Sequence, residues 1–121
     1  MTEPTGLQSA FPPLPGDGEM ERGSFFVEAG MLMPVTGQPG QARLAVEGFL
    51  PTPCNQPRAR ITPPDAQKRI MVELYSVMPR GMVCAEVIKP FAGVVATLSE
   101  LTAGEYTVMV NEQEVGTLIV P

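Results

Sequence analysis

The chain has 121 residues, a formal net charge of −5 and no histidine or tryptophan. This length predicts one domain, and the acidic balance disfavours a nucleic-acid surface, which requires a concentrated basic field. The lack of histidine excludes His-based acid–base catalysis, Ser–His and Cys–His nucleophile pairs, and His-ligated metal sites. Glycine and proline together contribute 12 + 14 = 26 residues, which leaves little room for long helices.

The N-terminal residues 1–22 predict a disordered tail or linker, and residues 23–121 a single folded domain. Phe11-Pro-Pro-Leu-Pro-Gly16 favours polyproline II, and the acidic residues that follow have almost nothing apolar between them. We expect the tail to act as a spacer, with a ligand for a proline-binding module as the alternative.

Seven segments then show the period-two alternation of strands, with turn signals at each boundary. They are Ser24–Met33, Arg43–Leu50, Lys68–Val77, Met82–Lys89, Val94–Leu98, Glu105–Val110 and Val115–Val120. In the first, alternation places Met31 and Met33 on the inward face. Residues 51–65 are a Pro-rich loop in this interpretation, and residues 111–114 a four-residue hairpin loop. The pattern predicts an all-β, antiparallel sandwich of about seven strands.

A tyrosine corner is the most specific structural signal. Leu101 and Gly104 precede Tyr106, which opens an alternating strand. In immunoglobulin-like sandwiches such a tyrosine packs where the chain passes between sheets, and its hydroxyl hydrogen-bonds backbone a few residues upstream.

Three blocks of the sequence together resemble a bacterial secreted or lipoprotein-type immunoglobulin-like domain. They are Gly48-Phe-Leu-Pro-Thr-Pro-Cys54, Cys84-Ala-Glu-Val-Ile-Lys-Pro-Phe91 and the Leu101-x-x-Gly-x-Tyr-x-Val-x-Val-Asn111 strand. The resemblance covers residues 24–121 and implies the fold rather than an activity. The chain departs from the pattern at Glu112, where a glycine is expected, and it shows neither a lipobox cysteine nor a signal peptide.

The two cysteines, Cys54 and Cys84, leave two interpretations open. They form one disulfide in a secreted chain, or they are two free thiols in a cytosolic one. We expect the disulfide, because Pro51, Pro53 and Pro57 leave the loop around Cys54 few backbone donors to hold it in place. This implies an extracytoplasmic protein: periplasmic, secreted or surface-tethered.

Two further clusters of residues are candidate sites. Arg58, Arg60, Lys68 and Arg69 form a possible contact patch for an acidic partner, with a solvated loop and charged strand edge as the alternative. Met78, Met82 and Cys84 have ligands suited to Cu(I), but methionines more simply fill a core poor in aromatic residues. We therefore expect no metal and no cofactor.

The functional expectation is a non-enzymatic extracytoplasmic interaction or accessory domain. Its partner would be an unknown protein or cell-surface molecule, with no nucleic acid and no membrane span, and the chain would be a monomer or weak dimer. The alternative is an inhibitor of extracellular peptidases that inserts the Pro-rich loop Leu50–Pro57 into an active-site cleft.

Overall fold

A computed structural model describes residues 6–121, and nine strands and one 3₁₀ helix make up this part of the chain. In chain order they are β1 (Leu7–Ser9), the 3₁₀ helix (Pro15–Glu19), β2 (Glu21–Gly23), β3 (Phe26–Pro34), β4 (Ala42–Leu50), β5 (Gln56–Thr62), β6 (Arg69–Met78), β7 (Lys89–Leu98), β8 (Gly104–Val110) and β9 (Gln113–Val120).

The strands form two sheets that pack face to face. The first sheet has the order β1-β7-β4-β3, and every pair in it is antiparallel. In the second sheet β6 is central: it pairs with β5, with β2 and with β8, and β8 continues to β9. The β6–β8 pair is parallel, from Arg69 opposite Thr107 to Val72 opposite Val110.

The core lies between the sheets because alternate residues of each strand are apolar and point inward. It is aliphatic, with few aromatic side chains. Its largest fully buried apolar side chains are Leu7, Leu44, Leu50, Ile70, Val72, Val95, Leu98 and Val108.

The all-β sandwich predicted from the sequence is confirmed, with differences in strand number and pairing. Nine strands replace the seven expected, because β1, β2 and β5 were not predicted and the predicted strand Met82–Lys89 is absent. β5 lies within the segment predicted to be a Pro-rich loop. Pro57 is compatible with it, since β5 is an edge strand in which a missing N–H need not break a ladder. The parallel β6–β8 pair also departs from the predicted antiparallel arrangement.

Residues 82–88 form a loop, so the predicted strand Met82–Lys89 is wrong except at its last residue. The segment has strand-like side chains but no neighbouring strand to pair with, and the chain enters β7 only at Lys89.

The predicted inward face of the first strand is correct at Phe25 and Val27 and wrong beyond them. A β-bulge between Val27 and Ala29 shifts the alternation of β3 by one residue. Leu32 therefore packs against the core, whereas the side chain of Met31 is 60% exposed on the outer face.

The predicted boundary between a disordered tail and the folded domain, at residue 22, is wrong for residues 6–22, which belong to the fold. Leu7 is 1% exposed and pairs with Leu98 in the first sheet, while β2 pairs with β6 in the second. The Pro-rich segment between them crosses from one sheet to the other, and Phe11 packs against the core. Residues 1–5 of the predicted tail lie outside the described part.

The two outer faces of the sandwich differ in character. Four rows of side chains cross β3, β4 and β7 on the outer face of the first sheet, and only two of these side chains are charged. The rows are Phe26–Phe49–Pro90, Ala29–Glu47–Ala92, Met31–Ala45–Val94 and Met33–Arg43–Thr97. The outer face of the second sheet carries Arg22, Arg58, Arg60, Arg69 and Glu73.

Candidate binding surface

A disulfide joins Cys54 to Cys84, with 6.2 Å between their Cα atoms. Cys54 lies in the turn between β4 and β5, and Cys84 lies in the loop between β6 and β7. The bond therefore ties two loops at one end of the sandwich, whereas the sequence suggested a bond from a loop to a strand.

The loop of residues 79–88, which we name the tethered loop, depends on this bond for its position. Cys84 is half-buried, and every other residue from Arg80 to Ile88 is exposed. Within residues 6–121, the backbone groups of residues 83–87 make no hydrogen bond. At its start, Arg80 Nε donates to the carbonyl of Glu19 at 3.2 Å. The disulfide is thus the one strong restraint on the middle of the loop.

The tethered loop presents apolar side chains to solvent. Val83 is 97% exposed, and the others are Met82 (45%), Val87 (60%) and Ile88 (56%). Contiguous exposed apolar side chains are uncommon on soluble proteins, so this loop is a candidate contact surface.

The apolar surface continues from the loop onto the first sheet. Ile88 lies in the loop two residues before Pro90, which is exposed on the outer face of β7. Pro90 is opposite Phe49, whose ring stacks on that of Phe26 with 4.9 Å between centroids. Phe26 is itself 45% exposed.

The turn that holds Cys54 is well anchored. The Asn55 side chain is buried, and its Nδ2 donates to Ser76 Oγ at 3.0 Å. Ser76 Oγ in turn donates to the Ser24 carbonyl, and Thr52 Oγ1 donates to Asn55 Oδ1. Sequence reasoning missed Asn55 and Ser76, and the one available signal was a polar residue directly after Cys54. The disulfide therefore joins a well-anchored residue, Cys54, to the loop that contains Cys84.

The four basic residues predicted as a contact patch are distributed along β5 and the start of β6, and each has a partner. Arg58 is buried and donates from Nε and Nη2 to the Asp17 carboxylate at 2.9 and 3.1 Å. Arg69 pairs with Asp65 at 2.9 Å, and Lys68 Nζ donates to the Ala103 carbonyl. Arg60 lies 3.9 Å from Glu73.

These basic partners lower the pKa values of two carboxyl groups, Asp17 and Asp65. The hydrogen bonds from Arg58 lower the pKa of Asp17, with partial burial acting in the opposite direction. The backbone N–H of Arg69 is the largest cause of a lowered pKa at Asp65, and its guanidinium adds to the effect. Because their charges are largely matched, the four basic residues do not form a concentrated positive surface.

A shallow open groove of about 540 Å³ lies on the second sheet beside Arg60. Arg22 borders it, with its guanidinium 4.0 Å from the centre of the Tyr75 ring and 2.9 Å from Glu73. The two arginines that line the groove therefore both have Glu73 as an acidic neighbour.

The tyrosine corner has the geometry that the sequence indicated. The Tyr106 hydroxyl donates to the Thr102 carbonyl at 2.7 Å and lies 2.9 Å from Thr102 Oγ1. Leu101 packs against the core, and Gly104 adopts a φ of 153°, which residues with a side chain rarely adopt. Lys68 Nζ lies 5.5 Å from the centre of the Tyr106 ring. The corner is a structural element that positions β8.

Neither a metal site nor a membrane helix is found in the described chain. Across residues 6–121, no three His, Cys, Asp or Glu side chains are grouped to hold a metal ion. In the same range, no helix has the length and hydropathy needed to span a bilayer.

These features define a small disulfide-bonded β-sandwich domain. The model of one protein family, described as the ORF11 beta-sandwich domain, matches residues 44–120. This match covers more than half of the chain, and the chain belongs to that family. The matched region begins in β4 and includes both cysteines and the tyrosine corner.

One curated relative is an uncharacterized 10.2 kDa protein in the HgiCIIM 5′ region of Herpetosiphon aurantiacus. It is 35% identical over 43 residues, which is 36% of this chain. The alignment spans 46% of the relative, about half of its length. No solved structure matches the chain.

Proposed function

We propose that this domain is a non-enzymatic binding module that contacts a protein or cell-surface partner through the tethered loop. The observation that carries the proposal is the apolar loop of residues 79–88, held to the sandwich by the Cys54–Cys84 disulfide. An exposed valine such as Val83 contributes nothing to folding, whereas its burial against a partner contributes about 1.5–3 kcal/mol.

The disulfide lowers the entropy cost of that contact. A loop with no backbone hydrogen bonds in its middle would otherwise sample many conformations, and ordering it on binding would reduce affinity. Fixing Cys84 restricts these conformations before the partner arrives. The stacked rings of Phe26 and Phe49 extend the contact surface onto the first sheet.

We further propose that the domain works outside the cytoplasm, as a periplasmic, secreted or surface-tethered protein of bacterial, immunoglobulin-like type. The disulfide is consistent with this location, since such bonds persist in oxidising compartments. The tyrosine corner supports the likeness to immunoglobulin sandwiches. The parallel β6–β8 pair distinguishes its strand order from theirs.

Inhibition of an extracellular peptidase is the second candidate function. A protruding loop restrained by a disulfide favours it, because extended exposed backbone fits an active-site cleft. The loop that would act is the tethered loop rather than Leu50–Pro57. In that segment Leu50 and Asn55 are buried, so it has little freedom to enter a cleft.

The proposal is tested by capture experiments with the immobilised full chain and the extracytoplasmic fraction of the source organism. We compare the wild type with Val83→Asp/Val87→Asp, which places two charges on the tethered loop. The matched control is Ile119→Asp, an equally apolar position that is 69% exposed on the outer face of the second sheet.

A partner held by the wild type and the control, but lost by the loop variant, is the expected result. Equal capture by all three proteins would refute the role of the loop. Incubation with a panel of peptidases separates the candidates: inhibition that the loop variant lacks favours the inhibitor, and an unaffected panel favours the binding module.

A further inference from the structure

Strand β4 carries two charged side chains, Arg43 and Glu47, on the outer face of the first sheet. Arg43 and Glu47 are exposed on β4, and neither makes an ion pair within residues 6–121. By contrast, the arginines on the outer face of the second sheet all have acidic neighbours. The unpaired charges therefore belong to the more apolar of the two faces.

These charges are placed symmetrically about Ala45. Arg43, Ala45 and Glu47 are spaced two residues apart on one strand, so all three point to the same side. Met31 and Val94 flank Ala45 on the neighbouring strands. The face thus has an apolar centre with one positive and one negative charge at equal distances along the strand.

We propose that two copies of this chain associate through these faces, with β4 of one copy antiparallel to β4 of the other. The two-fold axis lies in the plane between the two sheets, over Ala45 and perpendicular to the strands. It places Arg43 of each copy over Glu47 of the other. It also places Met31 against Met31 and Val94 against Val94. An axis parallel to the strands would instead set Arg43 against Arg43, so the charge pattern selects the antiparallel arrangement.

The side chains at the centre permit close packing of the two sheets. Ala29, Ala45 and Ala92 are small, so the faces can approach to the roughly 10 Å separation of packed sheets. The three rows centred on Ala45 supply nine side chains per copy, fewer than the roughly 20–30 residues per side of a standard interface, and the Phe26–Phe49–Pro90 row lies outside this contact. We therefore expect a weak dimer.

The arrangement leaves the tethered loops free. Each loop lies at the Pro90 end of its sheet, and antiparallel stacking places these ends on opposite sides of the dimer. A dimer would present two loops at once, so that binding to a repeated partner gains from avidity. Dimerisation itself does not depend on the proposed function of the loop.

The test is sedimentation equilibrium of the full chain at concentrations from micromolar to about 1 mM, since interfaces at the low end of the size range are weak. Glu47→Arg places like charges together at both contacts and should raise the dimer dissociation constant about tenfold or more. Arg43→Glu/Glu47→Arg exchanges the charges and should restore dissociation to near the wild-type value. Glu105→Arg, on the outer face of the second sheet, is the matched control and should leave it unchanged.

Rescue by the double exchange is the decisive result, because a merely destabilised fold would not be rescued by a second reversal of charge. Circular dichroism verifies that each variant is folded. A chain that remains monomeric over the whole range overturns the proposal. A dimer that is indifferent to Glu47→Arg, or one that the exchange does not rescue, overturns it as well.

Discussion

The side-chain amide of Asn111 completes the backbone hydrogen bonding of Leu74. Its Oδ1 accepts from the Leu74 N–H at 2.7 Å, and its Nδ2 donates to the Leu74 carbonyl at 3.2 Å. The parallel β6–β8 ladder ends at Val72, so this amide continues the pairing of β6 beyond the end of β8. The turn that presents it contains two residues rather than the four predicted. Asn111 and Glu112 both have positive φ, 47° and 70°, as a type I′ turn requires.

Substitution at this turn separates the hydrogen bonds from the backbone conformation. Asn111→Gly keeps the positive φ but leaves the part-buried N–H and carbonyl of Leu74 without this partner, so we expect a loss of about 1–3 kcal/mol of stability. Glu112→Gly removes no hydrogen bond and relieves a strained φ, so a gain of up to about 1 kcal/mol is expected. Urea denaturation measures both. An Asn111→Gly protein as stable to urea as the wild type would contradict the role of the amide.

The turn also illustrates what the sequence could reveal. The segment Leu101 to Val110 predicted the corner, because a tyrosine hydroxyl and its acceptor lie only four residues apart. The amide of Asn111 acts on a residue 37 positions away, which no local pattern indicates. The same limit applies to Asp17 and Arg58, 41 positions apart, and this pairing is part of why the segment before β2 is folded.

Apolar patterning is least informative at the tethered loop. Val83, Val87 and Ile88 have the composition of a strand, and nothing local distinguishes a strand from an exposed loop of the same residues. The bulge in β3 was invisible for a similar reason, since the alternation on either side of it is regular. Two cysteines allow only one pairing, and the prolines around Cys54 favoured that pairing over two free thiols.

Removal of the Tyr106 hydroxyl tests the corner. Tyr106→Phe keeps the buried ring and loses the hydrogen bond to the Thr102 carbonyl, so we expect a loss of about 1 kcal/mol. Tyr75→Phe is the control, because the Tyr75 hydroxyl makes no hydrogen bond within residues 6–121. If the denaturation midpoints of the two variants coincide, the hydroxyl contributes nothing to the corner.

The N-terminal strand can be tested through Leu7. This side chain is 1% exposed in the core, so Leu7→Ala should cost about 2–5 kcal/mol. Gln8→Ala, at the exposed neighbouring position, should change stability by less than about 0.5 kcal/mol. Limited proteolysis should leave the bonds near Glu21 and Arg22 intact for as long as the core resists. Rapid cleavage there would show that the N-terminal segment is disordered, as the sequence predicted.

The Asp17–Arg58 pair predicts a defined loss of stability in acid. Since its hydrogen bonds from Arg58 hold the pKa of Asp17 below the ordinary value of 3.8, the carboxylate contributes stability that is fully present above that value. The contribution is lost as the pH falls through the lower, folded-state pKa. The free energy of unfolding of wild type should therefore exceed that of Asp17→Asn by a constant amount near neutral pH. Below about pH 4 the difference should shrink, and a difference that stays constant in acid would contradict the pairing.

The most direct test of the account is whether Cys54 and Cys84 are bonded in the purified protein, because that disulfide fixes the position of the tethered loop. Intact mass without reductant should be lower than the reduced mass by two hydrogens, and no thiol should titrate. Closure of the 30-residue separation should stabilise the oxidised form by about 3–4 kcal/mol over Cys54→Ser/Cys84→Ser. Two thiols that titrate freely after purification in air would contradict the tethered loop and the extracytoplasmic proposal together.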